Sequence, residues 1–433
     1  MNEHDSGRMA ALLQAAGYVA VDDPALADVC IVNTCEVRDK AEHKMLSTVG
    51  RLRESKRQRP GQVVVVAGCG AQLRGGTLFE RQHHVDLVLG PDQVADLPHL
   101  IEQVRRERAR VVATGWWQGV GVDPAARLAG ESVAGATTAF VTAMTGCDNR
   151  CSYCIVPTVR GSERSRPLDA VVVEVAQLVA QGVREVTLLG QCVNAYGRAW
   201  ASGPRFVDLL HAVARVPGLL RIRFMTSHPS FFDRALTDAF AELPQLCDHV
   251  HLPVQAGADR ILAAMGRGYD RSLVIDIVDR LRQVRPEISI TTDFIVGFPG
   301  ESEDDFAQTE DLVHRLQFDA MFSFAFSERP DTPAVLLPDA VPRPLRVERL
   351  ARLHDAQRPY TRRALERWSG REVEVLVEGW STRDRTTRSG RTSQNIVVNF
   401  EGTALAGELT VVSIVEAKAN TLYGIERVSV ADG

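Results

Sequence analysis

Phe140-Val141-Thr142-Ala143-Met144-Thr145-Gly146-Cys147-Asp148-Asn149-Arg150-Cys151-Ser152-Tyr153-Cys154 is the stretch on which the fold turns. Phe140–Met144 has the apolar content of a buried strand, and a glycine turn then hands the chain to three closely spaced cysteines. Thiolates separated by three and then two residues can reach three corners of a four-iron cube from one loop, which leaves the fourth iron without a protein ligand in the motif. Structural zinc normally takes four protein ligands, and no further Cys or His lies nearby in sequence. The spacing therefore favours an iron–sulfur site with one open iron over a zinc site or scattered core cysteines.

Outward from this loop, strand-sized runs recur at Val186–Leu189, Ile222–Thr226, His249–Leu252, Ile288–Phe294 and Met321–Phe324. Helical stretches separate them, among them Ala170–Gln181, Phe206–Arg215, Ser272–Val284 and Glu303–Leu316. Six β-α repeats predict an open or partial (β/α)6 barrel, with its chemistry at the carboxyl ends of the strands. The residues after those strands are unusual: Gly146-Cys147, Gly190-Gln191, Ser227-His228, Pro253-Val254-Gln255 and Gly297-Phe298-Pro299-Gly300-Glu301.

Residues 1–115 read as an open α/β domain, with strands Val29–Asn33, Val63–Ala67 and Val85–Leu89 and helices Asp5–Ala15 and Val37–Lys56. Cys35 and Cys69 each fall just past a strand end, so two distant positions are expected to converge, whereas Cys30 lies inside a strand and reads as core. The first helix begins almost at Met1 with no strand before it. Residues 116–138, rich in Gly and Ala, read as a linker to a second domain at 133–368. From 369 to 433 the period shortens to strands Val373–Val377, Asn395–Phe400, Leu409–Val415 and Leu422–Ile425, a small β-barrel. The fold class is thus α/β with a terminal all-β unit.

The 433 residues are 45% hydrophobic and 24% charged, which excludes large-scale disorder. No apolar run approaches the roughly 18 residues of a membrane span, and the N-terminus lacks a signal-peptide pattern, so a cytoplasmic enzyme with no membrane partner is expected. Eight cysteines in such a chain are not a disulfide framework. The net charge of -5 argues weakly against nucleic acid, but Arg343 to Arg391 holds thirteen arginines against seven acidic residues. Two readings stand: solvated helix faces with i,i+4 pairing, or arginine forks meeting phosphate.

The loop Gly146–Pro157 resembles the radical S-adenosylmethionine superfamily. With Val159-Arg160-Gly161-Ser162-Glu163-Arg164-Ser165-Arg166, Leu189–Gly197, His251–Gln255 and Thr292–Glu301, the whole chain is similar to the tRNA methylthiotransferase family, in the branch that acts on isopentenylated adenosine beside the anticodon. The resemblance implies that Cys147, Cys151 and Cys154 bind a radical-generating [4Fe-4S] cluster whose open iron is chelated by S-adenosylmethionine. It implies that Tyr153 packs beside it (a plain core aromatic is the alternative) and that Gly190 and Gln191 line the cofactor cleft. Gly297, Pro299 and Gly300 would let backbone approach the cofactor. The terminal unit resembles the TRAM-like RNA-binding barrel, whose Arg383, Arg385, Arg388 and Arg391 would contact the anticodon stem-loop unless they merely solvate a surface turn.

The family also carries an auxiliary [4Fe-4S] cluster, and Asn33–Arg38 and Gly68–Gln72 match two of its three ligand motifs, assigning Cys35 and Cys69. The third cysteine is expected at the end of a strand just before a stretch resembling Met1–Ser6. A chain beginning there is expected to lack that strand and to hold the auxiliary cluster poorly. One S-adenosylmethionine would methylate a sulfide at that cluster, and another would supply the radical that activates carbon 2 of the adenine. An electron donor such as flavodoxin or ferredoxin and a sulfur source are implied. Methylthiolation of threonylcarbamoyladenosine or of a ribosomal-protein aspartate, and an RNA-binding scaffold with a residual cluster, are the alternatives.

Overall fold

Val63-Val64-Val65-Val66-Ala67-Gly68 is buried along its whole length, and the N-terminal domain is built around it. The computed structural model describes residues 1–35, 39–116, 135–382 and 384–427, with side chains of the second helix from residue 44 onward. Four parallel strands run in sequence order: β1 (Val29–Thr34), β2 (Val63–Gly68), β3 (Leu87–Leu89) and β4 (Val111–Ala113). Val63, Val65 and Ala67 pack with α1 (Asn2–Ala15) and α5 (Leu97–Glu107); Val64 and Val66 pack with α2 (Asp39–Gln58), α3 (Cys69–Arg74) and α4 (Leu78–Arg81). Both faces of β2 are covered, so it carries a continuous apolar run instead of an alternating one. Cys30 belongs to the second of these cores, as its place inside a strand implies. The edge strand β4, three residues long, was not among the sequence expectations.

The central domain comprises β5 (Thr138–Thr142), the two-residue pair β6 (Met144–Thr145) and β7 (Arg164–Ser165), β8 (Glu185–Leu189), β9 (Arg221–Phe224), β10 (His249–His251), β11 (Ser289–Val296) and β12 (Ala320–Ala325). Two parallel sheets, β5-β8-β9 and β10-β11-β12, follow one another, with a parallel bridge from Ile222 to Leu246 at the seam. This is the six-stranded open arc expected from the repeats. Its helices are α6 (Val156–Arg160), α7 (Leu168–Ala180), α8 (Phe206–Ala214), α9 (Arg234–Glu242), α10 (Asp259–Ala264), α11 (Arg271–Val284), α12 (Glu303–Leu316) and α13 (Arg343–Glu366). The start of α12 is fixed by a capping box: Ser302 Oγ accepts from Asp305 N (3.2 Å) and the Asp305 carboxylate accepts from Ser302 N (2.8 Å). Phe306, Leu312, Val313 and Leu316 then bury one stripe of that helix in the main core.

The C-terminal barrel closes in the order β13 (Glu372–Trp380), β14 (Arg388–Arg391), β15 (Val397–Glu401), β17 (Leu422–Glu426), β16 (Leu409–Ala417). Sequence reading found four of these five strands. Arg388-Ser389-Gly390-Arg391 has no apolar alternation; it is a strand because it pairs with both β13 and β15. The barrel sits on the amino-terminal rim of the central arc, opposite the cysteine loop. Arg221 Nη1 donates to Arg391 O (2.6 Å), Arg223 Nη2 to Thr392 O (2.7 Å), and Asp248 N to Ser393 Oγ (2.8 Å). Among the described residues, no helix is long and apolar enough to cross a membrane.

Candidate metal centre

The cysteine loop is gripped from two sides. Gly146 lies at φ +76°, and a side chain there would collide with Ser162 O, while Cys147 N donates to Gly161 O (3.1 Å). On the other side Ser152 N donates to Met265 O (2.9 Å) and Ser152 Oγ to Ala264 O (2.8 Å), at the end of α10. Cys147 and Cys151 are buried and Cys154 half-buried. Burial pushes the Cys147 thiol up, and the charges of Cys147 and Cys151 add to burial in pushing Cys154 up to about 12. Three free thiols on one loop, two buried and one half-buried, are a donor set that fits three corners of a four-iron cluster. Loading must displace the thiol protons.

Arg267 reaches this loop from the segment after α10. It donates Nη1–H to Cys151 Sγ (3.3 Å), Nη2–H to Pro253 O (3.0 Å) and Nε–H to Tyr269 Oη (2.9 Å). Tyr153 packs into a satellite core with Phe298, Met265 and Ile261, its Oη 3.5 Å from Arg267 Nη1. It is therefore a core aromatic that also lies beside the cysteines. Gly190 follows β8 against the Met144 side chain, and the Gln191 Oε1 after it is buried without a hydrogen-bond partner among the described residues. Gly297 lies at φ +72°, and the space a side chain would take is filled by the stem of Arg346. Its N–H goes to Glu301 Oε2 (2.6 Å), which pairs with Arg349 (2.8 Å); Pro299 is buried, and Gly300 at φ +77° donates to Asp339 O (2.9 Å). The Gly297–Glu301 turn is thus packed against α13.

The register Thr34↔Gly68 sets Cys35 and Cys69 side by side beyond β1 and β2. Gly68, at φ +91°, has no room for a Cβ beside Asn33 and Thr34, so only glycine lets the two strand ends approach. Cys69 packs on Ile155 and Val159, one on each side of the start of α6, and accepts Arg160 Nε–H (3.0 Å). Arg160 Nη2 donates to Asp5 Oδ2 (2.6 Å), and both side chains are buried. Burial opposes the Asp5 charge, but Arg160 and Arg8 outweigh it and hold that carboxyl below its ordinary range. The first residues of the chain meet the same spot, where Asn33 Nδ2 donates to Asn2 O (2.8 Å).

Arg160, Asp5 and Arg267 were not singled out by sequence reading. Arg160 lies within a quoted motif, but only the fold brings it to Cys69. Glu163, from the same motif, was also passed over: burial and then Asp148 push its carboxyl up to about 7 against the pull of Arg198, and its Oε1 lacks a partner among the described residues.

On the terminal barrel, Arg385 is exposed, Arg388 lies 3.8 Å above the Trp380 ring, and Arg391 pairs with Glu378 (3.1 Å). Arg383 lies outside the described residues. Along α13 the arginines are largely committed to carboxylates: Arg349 to Glu301, Arg352 to Glu303 and Glu310, Arg362 to Glu366.

Three cysteines on the loop after the first strand of a six-stranded parallel arc define a radical S-adenosylmethionine enzyme. The model of the Radical SAM superfamily matches residues 141–313, that of Uncharacterized protein family UPF0004 residues 1–90, and that of the TRAM domain residues 366–425. A tRNA-2-methylthio-N(6)-dimethylallyladenosine synthase of Syntrophus aciditrophicus is 43% identical over 425 residues, covering 98% of this chain and 92% of the relative. One of Burkholderia lata is 44% identical over 431 residues, covering 98% and 93%. The chain belongs to the tRNA-2-methylthio-N(6)-dimethylallyladenosine synthase family. Among solved structures, the radical S-adenosylmethionine methyltransferase TsrM from Kitasatospora setae superposes with a TM-score of 0.53 at 17% identity, over 77% of this chain and 74% of that one, a likeness of fold alone.

Proposed function

We propose that this chain adds a methylthio group to carbon 2 of N6-isopentenyladenosine at position 37 of tRNA, using residues 1–115, 133–368 and 369–433 as three working units. The observation that carries the reading is the placement of α6. Cys154 stands two residues before this five-residue helix, and Arg160 at its end holds Cys69. Five residues rise about 8 Å. A reaction that joins a methylthio group to an activated base needs its sulfur site and its radical site within a nucleotide's reach, and α6 supplies that spacing.

Cys147, Cys151 and Cys154 would hold a [4Fe-4S] cluster, and Gln191 Oε1 would offer S-adenosylmethionine an unused acceptor. Cys35 and Cys69 would contribute to a second, auxiliary cluster. When bound, these groups supply the radical and the sulfur chemistry; the protein orients them and excludes water. The target base must leave its stack, which costs least in a single-stranded loop. Arg383, Arg385 and Arg388, the last stacked on Trp380, would meet phosphates of the anticodon stem-loop, while Arg391 mainly braces the barrel. The reaction calls for an electron donor such as flavodoxin or ferredoxin and a sulfur source, in the cytoplasm.

Mass spectrometry of bulk tRNA nucleosides tests this. Cells lacking the gene should lose the 2-methylthio derivative and accumulate N6-isopentenyladenosine, with rescue by the intact gene and none by a Cys147→Ala/Cys151→Ala/Cys154→Ala gene. An unchanged isopentenyl series with altered threonylcarbamoyladenosine derivatives would overturn the substrate assignment.

A further inference from the structure

Buried charge is expensive unless it is compensated, so every buried arginine raises the question of its counter-charge. Six of them answer plainly. Arg8 and Arg160 reach Asp5, Arg166 reaches Glu174, Arg221 reaches Glu374, Arg223 reaches Glu185 and Arg349 reaches Glu301. Arg267 is equally buried, at 7% exposure, and has no carboxylate among the described residues. Its partners are a backbone carbonyl, two phenols and the Cys151 sulfur. An ordinary phenol ionises only near about pH 10, and burial with Arg267 pushes the neighbouring His228 ring down to about 2, so none of these groups supplies a counter-charge at neutral pH.

We propose that the counter-charge of Arg267 is the anionic iron–sulfur centre bound through Cys151, and that Arg267 is a positioning residue that sets how readily that centre is reduced. This rests on the assignment of the three cysteines above. The physical basis is direct. A cluster with three thiolates gains negative charge on reduction, and a fixed cation donating N–H to one of its sulfurs stabilises the reduced form more than the oxidised one. The low-dielectric surroundings of Tyr153, Met265 and Phe298 strengthen that interaction. The fork is also held in place: Tyr269 Oη, which accepts from Arg267, donates in turn to Val254 O (2.7 Å). Gly266 at φ +69°, where a Cβ would press on Arg150 O at 2.7 Å, keeps the segment against the cysteine loop.

The test uses the full chain carrying Cys35→Ala and Cys69→Ala, so that only one cluster can form, with Arg267 kept or changed to Lys, Gln or Met. Iron and sulfide content come first. A chain with Arg267 that takes up no four-iron cluster overturns the assignment of the cysteines themselves. With the cluster in place, the midpoint potential is read by EPR-monitored titration without S-adenosylmethionine, so no effect can pass through the cofactor's carboxylate. R267M and R267Q should move the midpoint to more negative potential, with R267K intermediate because it keeps a cation near the sulfur. ENDOR of the reduced cluster in D2O should show one exchangeable-proton coupling fewer in R267M. If R267M fails to fold, R267K and R267Q carry the comparison. Loaded variants with an unchanged midpoint, or with weakened cofactor binding alone, overturn the role assigned to Arg267.

Discussion

The two cysteine sites are built in opposite ways. Cys147, Cys151 and Cys154 come from one eight-residue loop, and the fold adds a cation to them from 116 residues away. Cys35 and Cys69 come from the ends of two strands, and the fold adds Arg160 from 91 residues away and, through it, Asp5 from the first helix. The first site has its ligands before the chain folds and needs tertiary structure only to tune them. The second has no ligand set until β1 and β2 are in register, and its arginine already has a carboxylate. A local loop should load as soon as the arc forms, whereas a strand-end site should follow the integrity of the domain interface.

The comparison breaks most visibly at the loop. Replacing Cys147, Cys151 and Cys154 with alanine should remove one cluster's iron and sulfide and abolish reductive formation of 5'-deoxyadenosine from S-adenosylmethionine. Cys35→Ala/Cys69→Ala should leave that half-reaction within about twofold, because the loop depends on no residue of the N-terminal domain for its ligands. Loss of 5'-deoxyadenosine in both variants would mean that the sites are one functional unit.

The next largest effect belongs to the junction. Arg160→Met leaves Asp5 buried without its best partner, and breaking a buried pair in this way costs about 3–5 kcal/mol. Arg8, 3.6 Å from Asp5, limits the damage. The expected outcome is a lowered thermal midpoint for the N-terminal domain, with the radical loop still able to load iron. A variant as stable as the parent would show that the Arg160–Asp5 contact does not join the domains energetically.

The same contrast explains what could be read without coordinates. The span of α12 was legible to the residue, because Ser302 caps it and its apolar stripe ends at Leu316. The cysteine loop was legible because its chemistry is a spacing. Convergence of Cys35 with Cys69 followed from two strand ends, since neighbouring parallel strands bring their carboxyl ends together. Arg267 was not legible, because an arginine between two glycines carries no sign of the sulfur it will meet. The strand β14 was hidden for a similar reason. Arg-Ser-Gly-Arg spells a turn, and Gly390 makes it a strand only where Leu376 O and Val375 leave no space for a side chain. At Gly297 the need for glycine was legible, but not that the stem of Arg346 would fill the space a side chain would take.

The smallest effect should come from Glu163, on the chain between the two sites. Burial and Asp148 raise its carboxyl to about 7, so folding favours the neutral form. Below pH 4.5 the group is protonated in folded and unfolded chains alike and contributes no difference. Between pH 4.5 and 7 the unfolded chain ionises first, so the residue costs stability progressively, and above pH 7 the cost is constant. The full shift would be roughly 3 kcal/mol, but Glu163 is partly exposed, and solvent screening brings it to about 1–2 kcal/mol. Glu163→Gln should therefore match the parent near pH 4.5 and exceed it in thermal midpoint at pH 8, measured on the metal-free chain so that cluster loading cannot contribute. Loaded with cofactor, the order should reverse if the free Oε1 accepts a donor there, because the amide is a weaker acceptor than the carboxylate. A Gln variant that gains nothing at pH 8 would show that Arg198 already compensates the charge, and that the segment between the sites is not strained by it.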